Sequence, residues 1–577
     1  MNQLIRRAPH CVTARVATAL LLGAAMTLPA SPVLAGGPAV HALTGARIVV
    51  GPGQEIASGT LVLRDGVIEA VGADVEPPAD ARIWELEDLT VYPALVEPYS
   101  TAKWPEVEED ARPAGGHANA LVTPERDVTP YAHQDGAAKK LREAGYAVAL
   151  VAPEQGMFRG SDAVVSLRSF GDDSKEDPLS ANLLRRGVAQ HVTMSATSTS
   201  GGYPNSMMGS VALFRQTLYD ARWYAAAQEA YGKNGAQGRP GYNAALDALA
   251  EVAQGDGTVI LQAQDLLEVL RIARMVDEFG LEAHVVATGS EYQRLDSVVA
   301  TGLPLIVPVG FPDAPTVGEE DDLSVTLETL RHWDQAPDNP RRLIEAGASV
   351  VFTTHGLGEP KEIHGKLAAA IERGLSRDQA LAAVTTGPAE MLGLGDLLGT
   401  IEVGKIANLV VVEGDLLVDK PKIRSVWIDG HRSEIKESKP PEIDPLGTWE
   451  LTLETGGGQM SVTVIISGTI DDLSGTIASQ MGELPLTSVD VSGKNIDFAM
   501  DSTPLGMPGS ITFSMAVSGE TSSGTGDSPQ GSFTFKGKRT SKPEASPEDL
   551  STEEDRRHDA HHHHGPHGSA SSKGVSR

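Results

Sequence analysis

The amino-acid sequence predicts an α/β chain, parallel strands alternating with helices, with a small all-β domain after it. Three observations carry this expectation. Thr90 to Val96 is apolar and β-favouring, as in strands covered on both faces, and runs straight into the polar, Pro-punctuated Glu97-Pro98-Tyr99-Ser100-Thr101. Strand-like and helix-like stretches then alternate as far as Thr353, the pattern of βα repetition around a parallel sheet. From Gly447 the composition shifts to Gly, Ser and Thr, with apolar residues at alternate positions.

Residues 1–35 have the three parts of a secretory signal: Arg6, Arg7 and Arg15, the apolar run Val16 to Leu28, and Val33-Leu34-Ala35 as cleavage site. Arg6-Arg7 is not followed by a fuller twin-arginine motif, so general secretion is expected, with a periplasmic or extracellular product. Cys11, the only cysteine, lies inside this segment, which excludes disulfides from the processed chain. No later run is long and apolar enough to span a bilayer. A formal net charge of −30 argues against nucleic acid or an anionic membrane as the main partner. It fits a secreted protein kept soluble by excess carboxylate. At 577 residues the chain is too long for one ordinary core, and two or three domains are expected.

Residues 41 to 92 hold short strands, ALTGARIVV, GTLVLRDGVIEAVG and ARIWELE, separated by glycine turns. Asp135 to Ala144 reads as a helix, stopped by Gly145 before the apolar strand Tyr146 to Ala152. Met208 to Tyr231 has helical spacing with an aromatic stripe, Phe214, Tyr219, Trp223 and Tyr224, expected in the core. Further strands are expected at Thr258 to Leu261, Ala283 to Ala287, Leu303 to Val307 and Ala348 to Thr353, with an amphipathic helix at Leu266 to Glu278. After the Pro440-Pro441 boundary, WELTLE, MSVTVIIS, NIDFAMD, SITFSMAVSG and SFTFKGK read as antiparallel strands of a small barrel or sandwich of about seven strands. The final stretch, 541–577, is acidic and then histidine-rich, and lacks the apolar content to fold. Its His558, His561 to His564 and His567 could chelate metal, as a natural tract or an expression tag.

Pro93-Ala94-Leu95-Val96-Glu97 resembles the first half of the amidohydrolase-superfamily signature, Pro-Gly-Leu-Ile-Asp followed by His-x-His. Leu61 to Gly72, Leu398 to Gly414 and Ile423 to Gly430 resemble the strands of the small β-sandwich that flanks the barrel in that superfamily, and Leu375 to Gly399 resembles the segment joining barrel to sandwich. Thr199 to Tyr224 is similar to a secreted bacterial subgroup in which a divergent barrel precedes, or is fused to, a normal one. The resemblance implies a TIM-like (β/α)8 barrel over 93–390 with a composite β-sandwich from 36–92 and 391–435. For 445–540, Gly447-Thr448-Trp449 is similar to the Gly-x-Trp of lipocalin-like barrels.

The same resemblance locates a site and shows its chemistry altered. The two histidines of His-x-His fall at Tyr99 and Thr101, the fifth-strand histidine at Gln262, the sixth-strand histidine at Ala287 or Thr288, and the eighth-strand aspartate at His355. A zinc hydrolase needs nitrogen and oxygen ligands converging on one water, and these residues are poor replacements. No cofactor is therefore expected, or zinc if the family site persists in altered form. His355 has two readings, a metal ligand or base at a strand end, or a hydrogen-bonded histidine in a vestigial pocket. His284 is expected to be structural, and His117 and His133 belong to a loop of undetermined direction. Glu97 and Asp162 are expected in loops, as carboxylates like many others in so acidic a chain. The absence of a Gly-x-Ser-x-Gly elbow or a phosphate loop disfavours those chemistries. Two functions follow: a hydrolase of carbon–nitrogen bonds other than peptide bonds, or an inactive pseudoenzyme that binds or scaffolds. Expected partners are an intact amidohydrolase paralogue, a second copy of the chain, or a small-molecule ligand.

Overall fold

The computed structural model describes residues 40–102, 116–170, 177–194, 203–315, 325–435, 442–455, 458–469, 472–479, 482–502, 510–528 and 531–542. The expected signal segment, the Pro440-Pro441 boundary and the histidine-rich tail lie outside these residues. The chain divides into two compact units between Ile435 and Lys436.

In the first unit, one eight-stranded sheet is composite. Val40–Gly51 pairs with Gln54–Arg64, which pairs with Val67–Gly72. On the other side lie Leu89–Pro93, Leu409–Glu413, Lys422–Ile428 and His431–Glu434, while Arg82–Glu85 also pairs with Val40–Gly51. Sequence-distant segments join because each has an apolar face to hide: Leu43, Ile48, Leu61, Val91, Leu409 and Trp427 form one buried cluster. The stretch expected as a single strand is two. Leu89–Pro93 pairs in this sheet, and Leu95–Ala102 pairs in the next. The crossing is at Ala94, whose N–H donates to Asn408 O at 3.0 Å, while Leu95 N–H donates to Gly145 O at 3.0 Å. Pro93 has no N–H to donate, which suits the last position before the chain leaves the first sheet.

The second sheet of this unit is barrel-shaped and nearly closed. Its order is Leu95–Ala102, Tyr146–Pro153, Phe158–Ser166, Leu183–Thr193, Thr258–Gln262, Glu282–Val286, Leu305–Pro308 and Val350–Thr353. It departs from eight identical βα repeats at one strand: Phe158–Ser166 runs antiparallel to both neighbours. The cause is length. Only residues 154–157 separate it from Tyr146–Pro153, enough for a hairpin and far too short for a crossover helix. Neither Phe158–Ser166 nor Leu183–Thr193 was expected from sequence. At Gly160, φ is +114°, and a Cβ there would stand 2.3 Å from Arg126 O, so glycine lets this strand approach the preceding loop.

The helices follow their capping signals. Leu266–Phe279 starts at Asp265, which accepts from Glu268 N–H at 2.8 Å, buries Val269, Ile272, Ala273, Val276 and Phe279, and stops at Gly280 in the left-handed region. Met207–Lys233 buries Leu213, Phe214, Leu218, Ala221 and Tyr224. The expected aromatic core stripe is corrected here: Tyr219 is 51% and Trp223 65% exposed. A 27-residue helix covered on one face keeps only part of any run of aromatics inside.

The second unit is a closed antiparallel barrel of eight strands, from Gly447–Thr455 to Gly531–Ser541, with the last strand pairing back to the first. Alternate residues point inward, among them Leu451, Leu453, Val462, Val464, Phe513, Met515 and Val517. Closure leaves no free sheet edge.

Candidate functional site

The barrel's first and last strands are joined by side chains. Glu97 is fully buried on Leu95–Ala102, and its carboxylate accepts from Tyr99 N–H (3.1 Å), Thr354 N–H (3.0 Å), Thr354 Oγ1 (2.8 Å) and Thr353 Oγ1. Thr353 Oγ1 also lies 3.0 Å from Tyr99 O. Burial pushes the Glu97 carboxyl up from its ordinary range, and the four donors oppose that push. Glu97 is thus no loop carboxylate. Asp162 is likewise fully buried, on Phe158–Ser166, accepting from Val188 N–H (2.7 Å) and Ala189 N–H and lying 2.9 Å from His191 Nε2.

Above Glu97 a directed hydrogen-bond chain crosses the barrel. Arg159 Nη1 donates to Tyr99 OH at 3.1 Å. Tyr99 OH donates to Gln262 Oε1 at 3.4 Å, and Gln262 Nε2 lies 3.1 Å from His355 Nε2. With the amide oriented this way, His355 Nε2 accepts, so the ring proton of a neutral His355 sits on Nδ1. Burial, and then the charge of Arg159, lower the His355 pKa, opposed by Glu154. Burial raises the Tyr99 pKa, opposed by Arg159. Both groups are therefore held neutral near neutral pH. The Tyr99 ring stands edge-on to His355, centroids 5.0 Å apart, and 5.8 Å from His191.

Of the five positions taken as equivalents of metal ligands, three converge: Tyr99, Gln262 and His355. Thr101 lines a separate cavity of about 50 Å³ with His133, Ala137 and Leu141, on the side where Asp135–Glu143 packs. The strand bulges between Glu97 and Ser100, which breaks the simple alternation from Tyr99 to Thr101. Thr288 bonds within its own turn, its N–H and Oγ1 donating to buried Glu291 at 2.7 and 2.8 Å. Among the described residues, no three His, Cys, Asp or Glu side chains are grouped so as to hold a metal. His117 Nδ1 accepts from Asn119 N–H in its loop, and His133 Nδ1 lies 3.3 Å from Asn182 Nδ2. His284 is the middle residue of Glu282–Val286, its pKa lowered by burial.

Sequence reasoning missed Arg159, His191 and the Thr353-Thr354 pair. A signal for Arg159 was present: an arginine beside Phe158 in a stretch that continues as Ala163-Val164-Val165 is unusual for a covered strand.

Residues 337–433 match the profile of the Amidohydrolase family. A structure of an amidohydrolase from Thermotoga maritima MSB8 superposes with a TM-score of 0.55 at 20% identity, covering 68% of this chain and 98% of that one. The matched segment, 337–433, is thus similar to the Amidohydrolase family. The Thermotoga amidohydrolase supports the fold alone at that identity. A short segment of 57 residues is 47% identical to Amidohydrolase tasK of Hapsidospora irregularis, covering 10% of this chain and 6% of the length of that relative. A prolidase structure from Bifidobacterium longum aligns over 69% of this chain and 95% of its own at 16% identity, with a TM-score of 0.37. The amidohydrolase match includes Val350–Thr353 and His355, and so reaches the last strand of the site.

Proposed function

We propose that this chain is a metal-free binding or scaffolding member of the amidohydrolase superfamily, a pseudoenzyme exported from the cytoplasm by its N-terminal segment. The observation that carries the reading is Arg159. Arg159 is 7% exposed, and its guanidinium donates to the hydroxyl of Tyr99, the residue matched to the first histidine of His-x-His. A fixed positive charge in contact with a would-be ligand repels a dication. Tyr99 is kept protonated by burial, and a neutral phenol or amide is a weak zinc ligand. The residues present do not fit the family's zinc. Likeness to the family favours retained hydrolysis of a non-peptide carbon–nitrogen bond, and the buried Asp162–His191 pair beside Tyr99 gives that second reading local support.

Elemental analysis of the chain ended at about residue 545, which removes the histidine-rich tail, tests the proposal. Less than a tenth of a zinc per chain after dialysis is expected. A stoichiometric zinc lost on His355→Ala would sink the reading. Hydrolysis of an amide panel abolished by His191→Gln would favour the second reading instead. The same proposal places the chain beside an intact amidohydrolase or a second copy of itself, which co-purification from the native host checks. For the second unit we propose a lipocalin-like barrel, supported by Trp449 buried beneath Arg539, with centroid and guanidinium carbon 4.7 Å apart.

A further inference from the structure

Arg159 raises a question of charge balance. Burying a cation without a counter-ion costs several kcal/mol by general estimates, so buried arginines are normally paired. Among the described residues, no carboxylate lies within salt-bridge distance of Arg159. Its protein contacts are Nη1 to Tyr99 OH and a long Nε contact of 3.4 Å to Gly156 O. Nη2 donates to no protein atom there. Glu154 is near enough to influence Tyr99 and His355, yet it is exposed and forms no ion pair with Arg159.

Resting on the metal-free reading above, we propose that the barrel mouth binds a small molecule through its carboxylate, with Arg159 Nη2 as principal donor. The half-exposed Gln262 and His355 form the solvent side of the cluster, so a ligand reaches the guanidinium from there. A guanidinium presents parallel N–H groups that match a carboxylate, and a charge-assisted bond inside a low-dielectric wall is strong. The stoichiometry of charge favours a monoanion over phosphate. One guanidinium faces the ligand, His355 is neutral, and Glu154 repels further negative charge. Binding supplies the missing counter-ion.

The test is titration of the full chain with benzoate, with its neutral isostere benzamide, and with inorganic phosphate, before and after dialysis against a chelator. Saturable benzoate binding is expected, unaffected by chelation, at least about tenfold tighter than benzamide and reduced at least about tenfold by Arg159→Gln. Glu154→Gln changes an exposed side chain without threatening the fold, and is expected to tighten benzoate a few-fold by removing repulsion. Equal binding of benzoate and benzamide, no benzoate binding at tens of millimolar, phosphate binding tighter than benzoate, or no loosening on Arg159→Gln with the fold intact would each overturn the assignment. So would looser benzoate binding on Glu154→Gln. Bound zinc with benzoate binding lost on chelation would sink the metal-free reading. A zinc-free chain that ignores benzoate would sink the ligand class alone.

Discussion

Arg159 and Arg539 are equally buried, each 7% exposed and each beside a large aromatic residue, and they differ in what surrounds them. Arg539 lies over the Trp449 indole, donates to Asp444 O and has an Asp444 carboxylate oxygen at 3.9 Å. Trp449 Nε1 in turn donates to Pro445 O at 3.1 Å. That arginine is a plug for the end of a small barrel, with its charge matched locally. Arg159 has a phenol and a distant carbonyl, and no matching charge among the described residues. Burial alone therefore does not mark a structural arginine; the charge beside it does, since Arg539 has a carboxylate at 3.9 Å even though its buried Nε lacks a hydrogen-bond partner.

The largest effect is expected at Trp449, fully buried under Arg539. Trp449→Ala should cost the second unit about 3–5 kcal/mol in denaturant unfolding, since a large side chain leaves a cavity that a closed barrel cannot collapse. Residues 442–542 expressed alone should give a dispersed amide spectrum, and a collapsed one would remove the plug interpretation.

Acid separates the two units next. His364 is buried with Nε2 3.0 Å from Ala144 O, and burial lowers its pKa to about 4 from 6.5. A depressed folded pKa gives stability that is present above 6.5 and lost as pH falls through about 4. That window is worth about 3 kcal/mol to the first unit. Residues 442–542 contain no histidine and lack this loss. Hydrogen exchange followed by unit between neutral pH and pH 4 checks it, and His364→Gln should flatten the first unit's profile.

The two arginines should respond with opposite signs to one substitution. Arg539→Met should destabilise the second unit by about 1–3 kcal/mol, through the lost cation–π contact and hydrogen bonds. Arg159→Met should leave the first unit unchanged or stabilise it by about 1–3 kcal/mol, because an unmatched buried charge is removed. Destabilisation at both would mean that Arg159 is structural. The smallest effect is at Trp223, 65% exposed: Trp223→Ala should change thermal stability by no more than about 0.5 kcal/mol.

The sequence by itself determined what local pattern controls. Apolar runs bounded by glycine and proline placed Tyr146–Pro153, Leu266–Phe279 and the period-two strands of the second unit, because a strand or helix must hide a face whose spacing is written in its own residues. The motif resemblance also directed attention to Tyr99, Gln262 and His355, which the fold brings together. Tertiary structure alone decided the rest. Phe158–Ser166 turns antiparallel because four residues cannot cross a sheet, and that turn carries Arg159 to Tyr99 across 60 positions of sequence. Thr101 leaves the site at a bulge, and Thr288 is claimed by Glu291. Glu97 and Asp162 looked like surface acids because nothing local distinguishes a solvated carboxylate from one whose donors arrive from distant strands. The donors of Glu97 at Thr353 and Thr354 lie more than 250 residues away, and only the nearly closed barrel supplies them.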